Sequence, residues 1–213
     1  MEKIFSKTSF PLAPGGDRYE WQGVETTFTI PQKGLFVIKI EASAKKSNQN
    51  PSKDDDDLRV AINGFDFGKY ERHEEMFSWK GFGTSASWDG ASLKSGTKTI
   101  YFFIELEQGV HSVQFFADEK PVLKSIEVFE IKNRILELTN IRPSEKIKSQ
   151  FKGIPWLSFV FLGGQTKSLT LGVKTRSAKA KRGHDGDNLK IIVNGKVLQN
   201  PEAPKSYKYK NFY

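Results

Sequence analysis

Short apolar runs separated by turn residues recur along the first 132 residues of the chain. Within Leu35–Ala44, alternate positions from Phe36 to Ala42 are apolar and most positions between them are polar, which is the period of a half-buried strand. Short strands separated by such turn residues are typical of an antiparallel β-sandwich. The predicted strands are rich in Val, Ile, Phe, Tyr and Thr: Thr27–Ile30, Leu35–Ala44, Leu58–Ile62, Thr99–Leu106, Val110–Ala117 and Ile126–Ile131.

Two short segments between these runs predict tight turns. Glu107-Gln108-Gly109 predicts a hairpin joining Thr99–Leu106 to Val110–Ala117, in which His111, Val113, Phe115 and Ala117 share one face. Asn63-Gly64 supplies the two residues that tolerate positive φ in a type I′ turn.

An internal repeat divides the chain. Residues 54–64 align without gaps on residues 185–195, at an offset of 131, and flanking matches lie at offsets of 134 and 130. A period of this length indicates duplicated domains and not solenoid units of about 20–50 residues. The prediction is therefore two tandem related β-domains, a complete module over residues 1–132 and a second over residues 133–213.

The second domain is predicted to be incomplete relative to the first. The first copy continues after the last matched residue, Phe82, as far as Ile131, whereas the second copy has no counterpart of residues 83–131 before Tyr213. A half-built sheet exposes unpaired strand edges. We therefore expect the chain to be a segment of a longer protein with neighbouring domains, or the second copy to be completed by another chain.

The net charge of +8 is unevenly distributed. Residues 1–132 carry 17 basic and 20 acidic side chains, and residues 133–213 carry 16 and 5. Basic residues interleaved with aromatic ones are typical of nucleic-acid grooves and also suit anionic glycans, while a solvated loop and a polar sheet face are the alternative. The candidate polyanion-binding residues are Lys174, Arg176, Lys179, Lys181, Arg182, Tyr207 and Tyr209.

Composition excludes several classes of protein. With 17 Phe, 6 Tyr and 4 Trp the chain is too aromatic for a disordered protein, and without cysteine it has neither disulfides nor thiolate sites. Its most apolar stretch, near residues 154–162, has about half the length of a membrane helix, so no membrane span is expected. The N-terminus lacks the apolar region of a signal peptide. The chain is therefore either cytoplasmic or a piece of an exported, extracellular or cell-surface protein.

Four segments of the chain together resemble the galactose-binding-like jelly rolls, a form that many carbohydrate-binding modules share. These segments are Glu25–Ala44, Leu58–Gly64, Ile104–Phe115 and Ile126–Val128. The resemblance covers residues 18–131 and, for its first half only, residues 150–212. It implies that loop aromatics stack on sugar rings beside polar side chains, and that loop carboxylates hold a structural calcium. The candidate ligand-binding residues are Trp79, Trp88, Lys80 and Asp89, with packing of Trp88 under its own loop as the alternative.

The acidic run Asp54, Asp55, Asp56 and Asp57 is the candidate metal site. Hard cations such as calcium take carboxylate oxygens, although a solvated loop explains the same run. The matching run that begins at Asp185 is not an EF-hand, because Lys196 stands where that loop requires a bidentate Glu. No other cofactor is expected.

No catalytic arrangement emerges from the residues. Neighbouring carboxylates on one strand point to opposite faces, and His73, His111 and His184 share no ligand spacing. We therefore predict a protein that is not an enzyme. The predicted function is a carbohydrate-binding module that targets an attached enzyme or surface protein to polysaccharide or cell-wall glycan. The alternatives are a structural or adhesive repeat of a larger surface protein, and polyanion binding, including nucleic acid, through the basic second domain.

Overall fold

The computed structural model describes residues 1–16, 19–21, 24–67, 83–132, 138–139, 141–143, 154–162, 171–173, 190–193, 196–199 and 210–212. The chain forms two compact units. Unit 1 comprises Met1–Ser149 with Ile154–Gly164, and unit 2 comprises Gln150–Gly153 with Gln165–Tyr213.

Almost all regular structure in the described residues is strand. A four-residue helix, α1 (Gly90–Leu93), and two 3₁₀ turns, Ser47–Gln49 and Gly83–Ala86, are the exceptions in that part of the chain. The strands are β1 (Glu2–Lys7), β2 (Tyr19–Glu20), β3 (Thr26–Ile30), β4 (Gly34–Ser43), β5 (Asp57–Ile62), β6 (Phe65–Asp66), β7 (Trp88–Asp89), β8 (Thr97–Leu106), β9 (Gly109–Asp118), β10 (Val122–Glu130), β11 (Leu157–Phe161), β12 (Leu171–Val173), β13 (Ile191–Val193), β14 (Lys196–Gln199) and β15 (Lys210–Phe212).

Unit 1 is a sandwich of two sheets. The first sheet has the order β1-β10-β4-β8-β11, and its strands are antiparallel except for β11, which runs parallel to β8. The second sheet has the order β2-β9-β5-β6, with β3 paired to β9 and β7 paired to β5. All six strands predicted from the sequence are present, and the predicted all-β sandwich is confirmed.

The core lies between the two sheets and follows the predicted alternation. The β4 side chains from Phe36 to Ala42 at every second position are fully buried, as are Val113 and Phe115 from β9. Val37 lies on the opposite face of β4 and is nevertheless fully buried. Apolar burial on this scale is the main stabilising term for a domain without disulfides.

One predicted turn is confirmed and the other is wrong. Asn63 and Gly64 both have positive φ, at 51° and 74°, and join β5 to β6 as a two-residue hairpin. The segment Glu107–Gly109 does not form a hairpin, because β8 lies in the first sheet and β9 in the second. The turn therefore carries the chain from one layer of the sandwich to the other.

Strand β11 extends unit 1 beyond the predicted boundary at residue 132. Its residues pair in parallel register with β8, Leu157 opposite Thr99 and Phe161 opposite Phe103. Trp156, which precedes it, accepts a hydrogen bond at its carbonyl from the Thr99 amide at 3.0 Å. The first sheet thus gains its edge strand from a segment more than 20 residues past β10.

In unit 2 the described strands form two antiparallel pairs, β12 with β15 and β13 with β14. Val193 lies opposite Lys196, which reproduces at an offset of 131 the pairing of Ile62 with Phe65 in unit 1. The strand pairing of the repeat is therefore present in both units, and the wider tandem relationship stays a prediction.

Candidate functional site

Three loops meet at one end of the unit 1 sandwich, which we call the loop end. They are residues 44–56 between β4 and β5, residues 90–96 before β8, and residues 119–121 between β9 and β10. Each precedes or follows a central strand of the sandwich, so a rigid scaffold supports all of them.

The buried residue Asp56 contacts all three loops, two of them through its carboxylate and the third through its main-chain carbonyl. Its Oδ2 accepts a hydrogen bond from the Lys45 amide at 2.9 Å, and its Oδ1 accepts from Asn50 Nδ2 at 2.8 Å and from the Lys120 amide at 3.1 Å. The Asp56 carbonyl also accepts from the Gly90 amide at 2.8 Å. Charge-assisted hydrogen bonds to main-chain amides are strong and directional, so residues 44–56 and 119–121 are held in one arrangement.

Beside this buried residue, three partly buried carboxylates converge. Asp55, Asp57 and Asp89 each place one oxygen within 4.8 Å of the others, and we call them the acidic cluster. Strand pairing brings them together, because Asp57 on β5 lies opposite Asp89 on β7. Asp89 also caps α1, accepting at 3.2 Å from the Ser92 amide and at 2.7 Å from the Ser92 hydroxyl.

The electrostatics of the acidic cluster are those of crowded carboxylates. Burial raises the pKa of Asp55, and the negative charge of Asp89 acts in the same direction. The Ala91 amide, which donates to Asp55 Oδ2 at 2.9 Å, opposes this shift. Convergent carboxylate oxygens can accept hydrogen bonds from hydroxyl groups, and they are also the ligands that a hard cation takes.

Comparison with known proteins does not assign the chain to a family. No protein-family model matches the chain, and a search of curated proteins finds no significant match.

The structure changes the predicted metal site. Asp55 and Asp57 belong to the acidic cluster, whereas the buried Asp56 is committed to the loops and the exposed Asp54 accepts a hydrogen bond from the Asp55 amide at 2.9 Å. The third carboxylate, Asp89, was predicted as a sugar contact and not as a member of this cluster. Sequence spacing does not reveal it, because residues 57 and 89 become neighbours only through the pairing of β5 with β7.

The predicted ligand-binding tryptophan lies in the core. Trp88 is fully buried, and its indole Nε1 donates a hydrogen bond to the carbonyl of Lys98 at 2.8 Å. A ring with no exposed face cannot stack on a sugar, so this structure assigns Trp88 the alternative role of packing under its own loop. Trp79 and Lys80 lie outside the described residues.

Lys98 is a buried cation that sequence reasoning did not single out. Its side chain points into the core, where Nζ donates to the carbonyl of Ser87 at 2.9 Å and of Ser85 at 3.2 Å. Burial lowers the pKa of Lys98 to about 7, and the charge of Asp89 opposes that shift. The amine therefore titrates near neutral pH at the base of the loop end.

A second surface is aromatic. Tyr101 and Phe103 on β8 face Phe159 and Phe161 on β11 across the outer side of the first sheet, and we call these four residues the aromatic strip. The Phe103 and Phe161 rings stack at 4.5 Å with an angle of 21° between their planes, and Tyr101 and Phe159 are 5.4 Å apart. On the inner face of the sheet, β8 contributes the buried Ile100 and Phe102, and β11 contributes Ser158 and the buried Val160.

The predicted polyanion-binding residues all lie outside the described part of the chain. They are Lys174, Arg176, Lys179, Lys181, Arg182, Tyr207 and Tyr209. In the residues that are described, the structure contains no helix with the length and apolarity that a bilayer crossing requires.

Proposed function

We propose that unit 1 is a non-catalytic carbohydrate-binding module, and that it directs an attached enzyme or surface protein to polysaccharide or cell-wall glycan. The observation that carries the proposal is the loop end, where Asp56 forms hydrogen bonds to all three loops and the acidic cluster presents convergent acceptors. Sugar hydroxyls are donors that such fixed carboxylates would accept, and a preorganised site loses little entropy when it binds. The resemblance to galactose-binding-like jelly rolls agrees with this use of the loops.

The carboxylates of the acidic cluster favour binding over catalysis. Asp89 is engaged in capping α1, and Asp55 accepts the Ala91 amide, so both already hold the main chain in place. A pair of catalytic carboxylates in a glycosidase instead faces the scissile bond from the two sides of a cleft. The segment joining β6 to the 3₁₀ turn at Gly83 contains Trp79 and Lys80, which remain the candidate stacking and hydrogen-bonding residues of the proposed site.

The proposal is tested by affinity electrophoresis of the chain in gels that contain a panel of soluble polysaccharides. The double variant Asp55→Asn, Asp89→Asn removes two acceptor charges while Asn retains the capping ability of residue 89. Loss of one charged hydrogen bond costs about 1.5–3 kcal/mol, so affinity should fall at least about tenfold. Trp79→Ala should weaken binding as well, and the exposed Asp54→Asn is the matched control that should bind normally.

A folded wild-type chain that no polysaccharide retards would overturn the carbohydrate proposal. That result would favour a structural or adhesive module, for which the aromatic strip is the supporting observation. A cluster of aromatic side chains on the outer face of a sheet is typical of a surface that packs against another protein. Polyanion binding by residues 133–213 would instead be favoured if only anionic polymers retard the chain. That retardation should disappear in moderate salt and persist in the double variant.

A further inference from the structure

Lys98 places a primary amine inside the apolar core of unit 1. It stands near the start of β8 with 1% of its surface exposed, on the same face of the strand as Ile100 and Phe102. An ionised amine in such a position is costly unless hydrogen bonds and an opposite charge compensate it. Two of its hydrogen bonds and the opposite charge of Asp89 come from one neighbouring segment.

That segment comprises residues 85–95, and we call it the flap. The Lys98 amine donates to two flap carbonyls, those of Ser85 and Ser87. The carbonyl of Lys98 in turn accepts from the indole of Trp88 at 2.8 Å. One residue of the first sheet thus holds the flap through its side chain and its main chain.

The flap ends in a strained connection to β8. Lys94 and Ser95 are consecutive residues with positive φ, at 50° and 70°, and neither is glycine. Residues in the left-handed region each cost about 1 kcal/mol or more, and such positions absorb the dihedral changes of hinges. On the side of the second sheet, β7 contributes only two paired positions, at Asp57 and Leu58 of β5.

The short strand limits the main-chain pairing that opening must break, and the strained connection allows a dihedral change at Lys94 and Ser95. Opening must also expose the apolar side chains of Trp88 and Leu93, which are buried in the closed flap. We propose that residues 85–95 form a flap that opens locally as a unit, and that the proton on Lys98 controls this opening.

The groups around the amine determine the direction of the effect. Asp89 on β7 is a charged group that acts on Lys98, and it favours the protonated form. Ala42 from β4, Leu58 from β5 and Leu93 from α1 belong to the apolar core at this end of the sandwich and favour the neutral form. Burial outweighs the field of Asp89, so the pKa of Lys98 in the closed flap is about 7.

An open flap would expose the amine to water, where the pKa of a lysine is 10.5. Between the two values opening takes up one proton, so its equilibrium constant falls as pH rises, by about tenfold for each pH unit well inside this range. Below about pH 7 both states are protonated and the constant no longer changes. Acidification toward neutrality therefore favours the open flap, and alkaline pH keeps it closed.

Opening would also separate Asp89 from Asp55 and Asp57 and uncover Trp88. Any effect on a ligand of the acidic cluster rests on the proposed function, whereas the opening itself does not. The test therefore measures opening without a glycan, and its failure leaves the carbohydrate proposal untouched.

Native-state hydrogen exchange of the full chain tests the flap. Amides of residues 85–95 and, as the reference, of the core strand β4 are followed at pH 6.5, 7.5 and 8.5, under conditions in which exchange reports the opening equilibrium and after correction for intrinsic rates. We expect the flap opening constant to exceed that of β4 and to fall by roughly 20-fold between pH 6.5 and 8.5. Lys98→Met should remove the fall.

Lys124→Met is the matched control, because Lys124 also lies in the first sheet and its amine donates to Thr97 Oγ1 at 2.6 Å on the outer side. This variant should keep the wild-type pH dependence. Flap amides that exchange no faster than those of β4 would overturn the proposal, as would a pH dependence that survives Lys98→Met. The wild-type comparison of flap with β4 decides the question even if the Lys98 variant does not fold.

Discussion

Asp56→Asn is the most direct test of how the loop end is held together. The substitution keeps the shape of the side chain and replaces one of its two acceptor oxygens by an amide group that can only donate. In the wild type, one oxygen accepts from the Lys45 amide and the other accepts from Asn50 and from the Lys120 amide. The least costly placement of the Asn amide therefore keeps the two-donor side and turns NH₂ toward the Lys45 amide.

The expected cost follows from these contacts. The Lys45 amide would face the NH₂ group of Asn in place of the acceptor oxygen of Asp56, which is 1% exposed. A donor that loses its acceptor in such a contact costs about 1–3 kcal/mol. The two remaining hydrogen bonds change from charge-assisted to neutral, with a loss of about 1 kcal/mol each. The free energy of unfolding should fall by about 3–5 kcal/mol, which corresponds to a melting temperature lower by about 10 °C.

Urea unfolding followed by tryptophan fluorescence measures this change, because Trp21 and Trp88 are buried in unit 1. Asp54→Asn is the control, since Asp54 is exposed and the substitution should alter stability by less than about 0.5 kcal/mol. If Asp56→Asn loses less than about 1 kcal/mol, Asp56 does not anchor the loops as described.

Three further predictions concern the same region. Gly90→Ala would place a Cβ 1.9 Å from the Lys45 carbonyl oxygen, so we expect the free energy of unfolding to fall by about 3 kcal/mol or more. A melting temperature within about 2 °C of the wild-type value would contradict this close packing. The free energy of unfolding of the wild type should rise with pH from about 7 to 10.5, by at most about 5 kcal/mol, because the pKa of Lys98 is lower in the folded than in the unfolded chain. The difference between the urea midpoints at pH 7 and pH 9 measures this rise, and Lys98→Met should abolish it. Calcium should raise the melting temperature relative to chelator if the acidic cluster binds it, and Asp55→Asn should abolish the shift; equal wild-type values would exclude binding under those conditions.

Local composition was sufficient to predict six of the strands, and alternation also predicted the buried faces of β4 and β9. Neither could predict which strands share a sheet, because pairing depends on contacts between distant segments. Glu107–Gly109 therefore resembles a hairpin turn in sequence although β8 and β9 belong to different sheets. The addition of β11 to the edge of the first sheet escaped prediction for the same reason, since its residues carry no mark of the partner strand.

The candidate site shows the same limit at the level of side chains. Asp89 was predicted to contact a ligand because it follows Trp88, yet it joins the acidic cluster through the pairing of β7 with β5. A signal for Lys98 was present in the sequence. The strand was predicted to start at Thr99, and extending the alternation of Ile100 and Phe102 back to residue 98 would have placed the amine on the buried face.

The internal repeat separates the structural part of the acidic run from the part that serves unit 1 alone. At an offset of 131, the buried Asp56 aligns with Asp187, whereas the residues that flank Asp56 align with Gly186 and Asn188. The second copy thus retains the carboxylate that anchors loops in the first copy and lacks the two that face Asp89. A loop anchor is required wherever the strand and hairpin are built, while a convergent acceptor site is required only where a ligand binds. Binding through an acidic cluster at this position is therefore expected of unit 1 and not of its repeat.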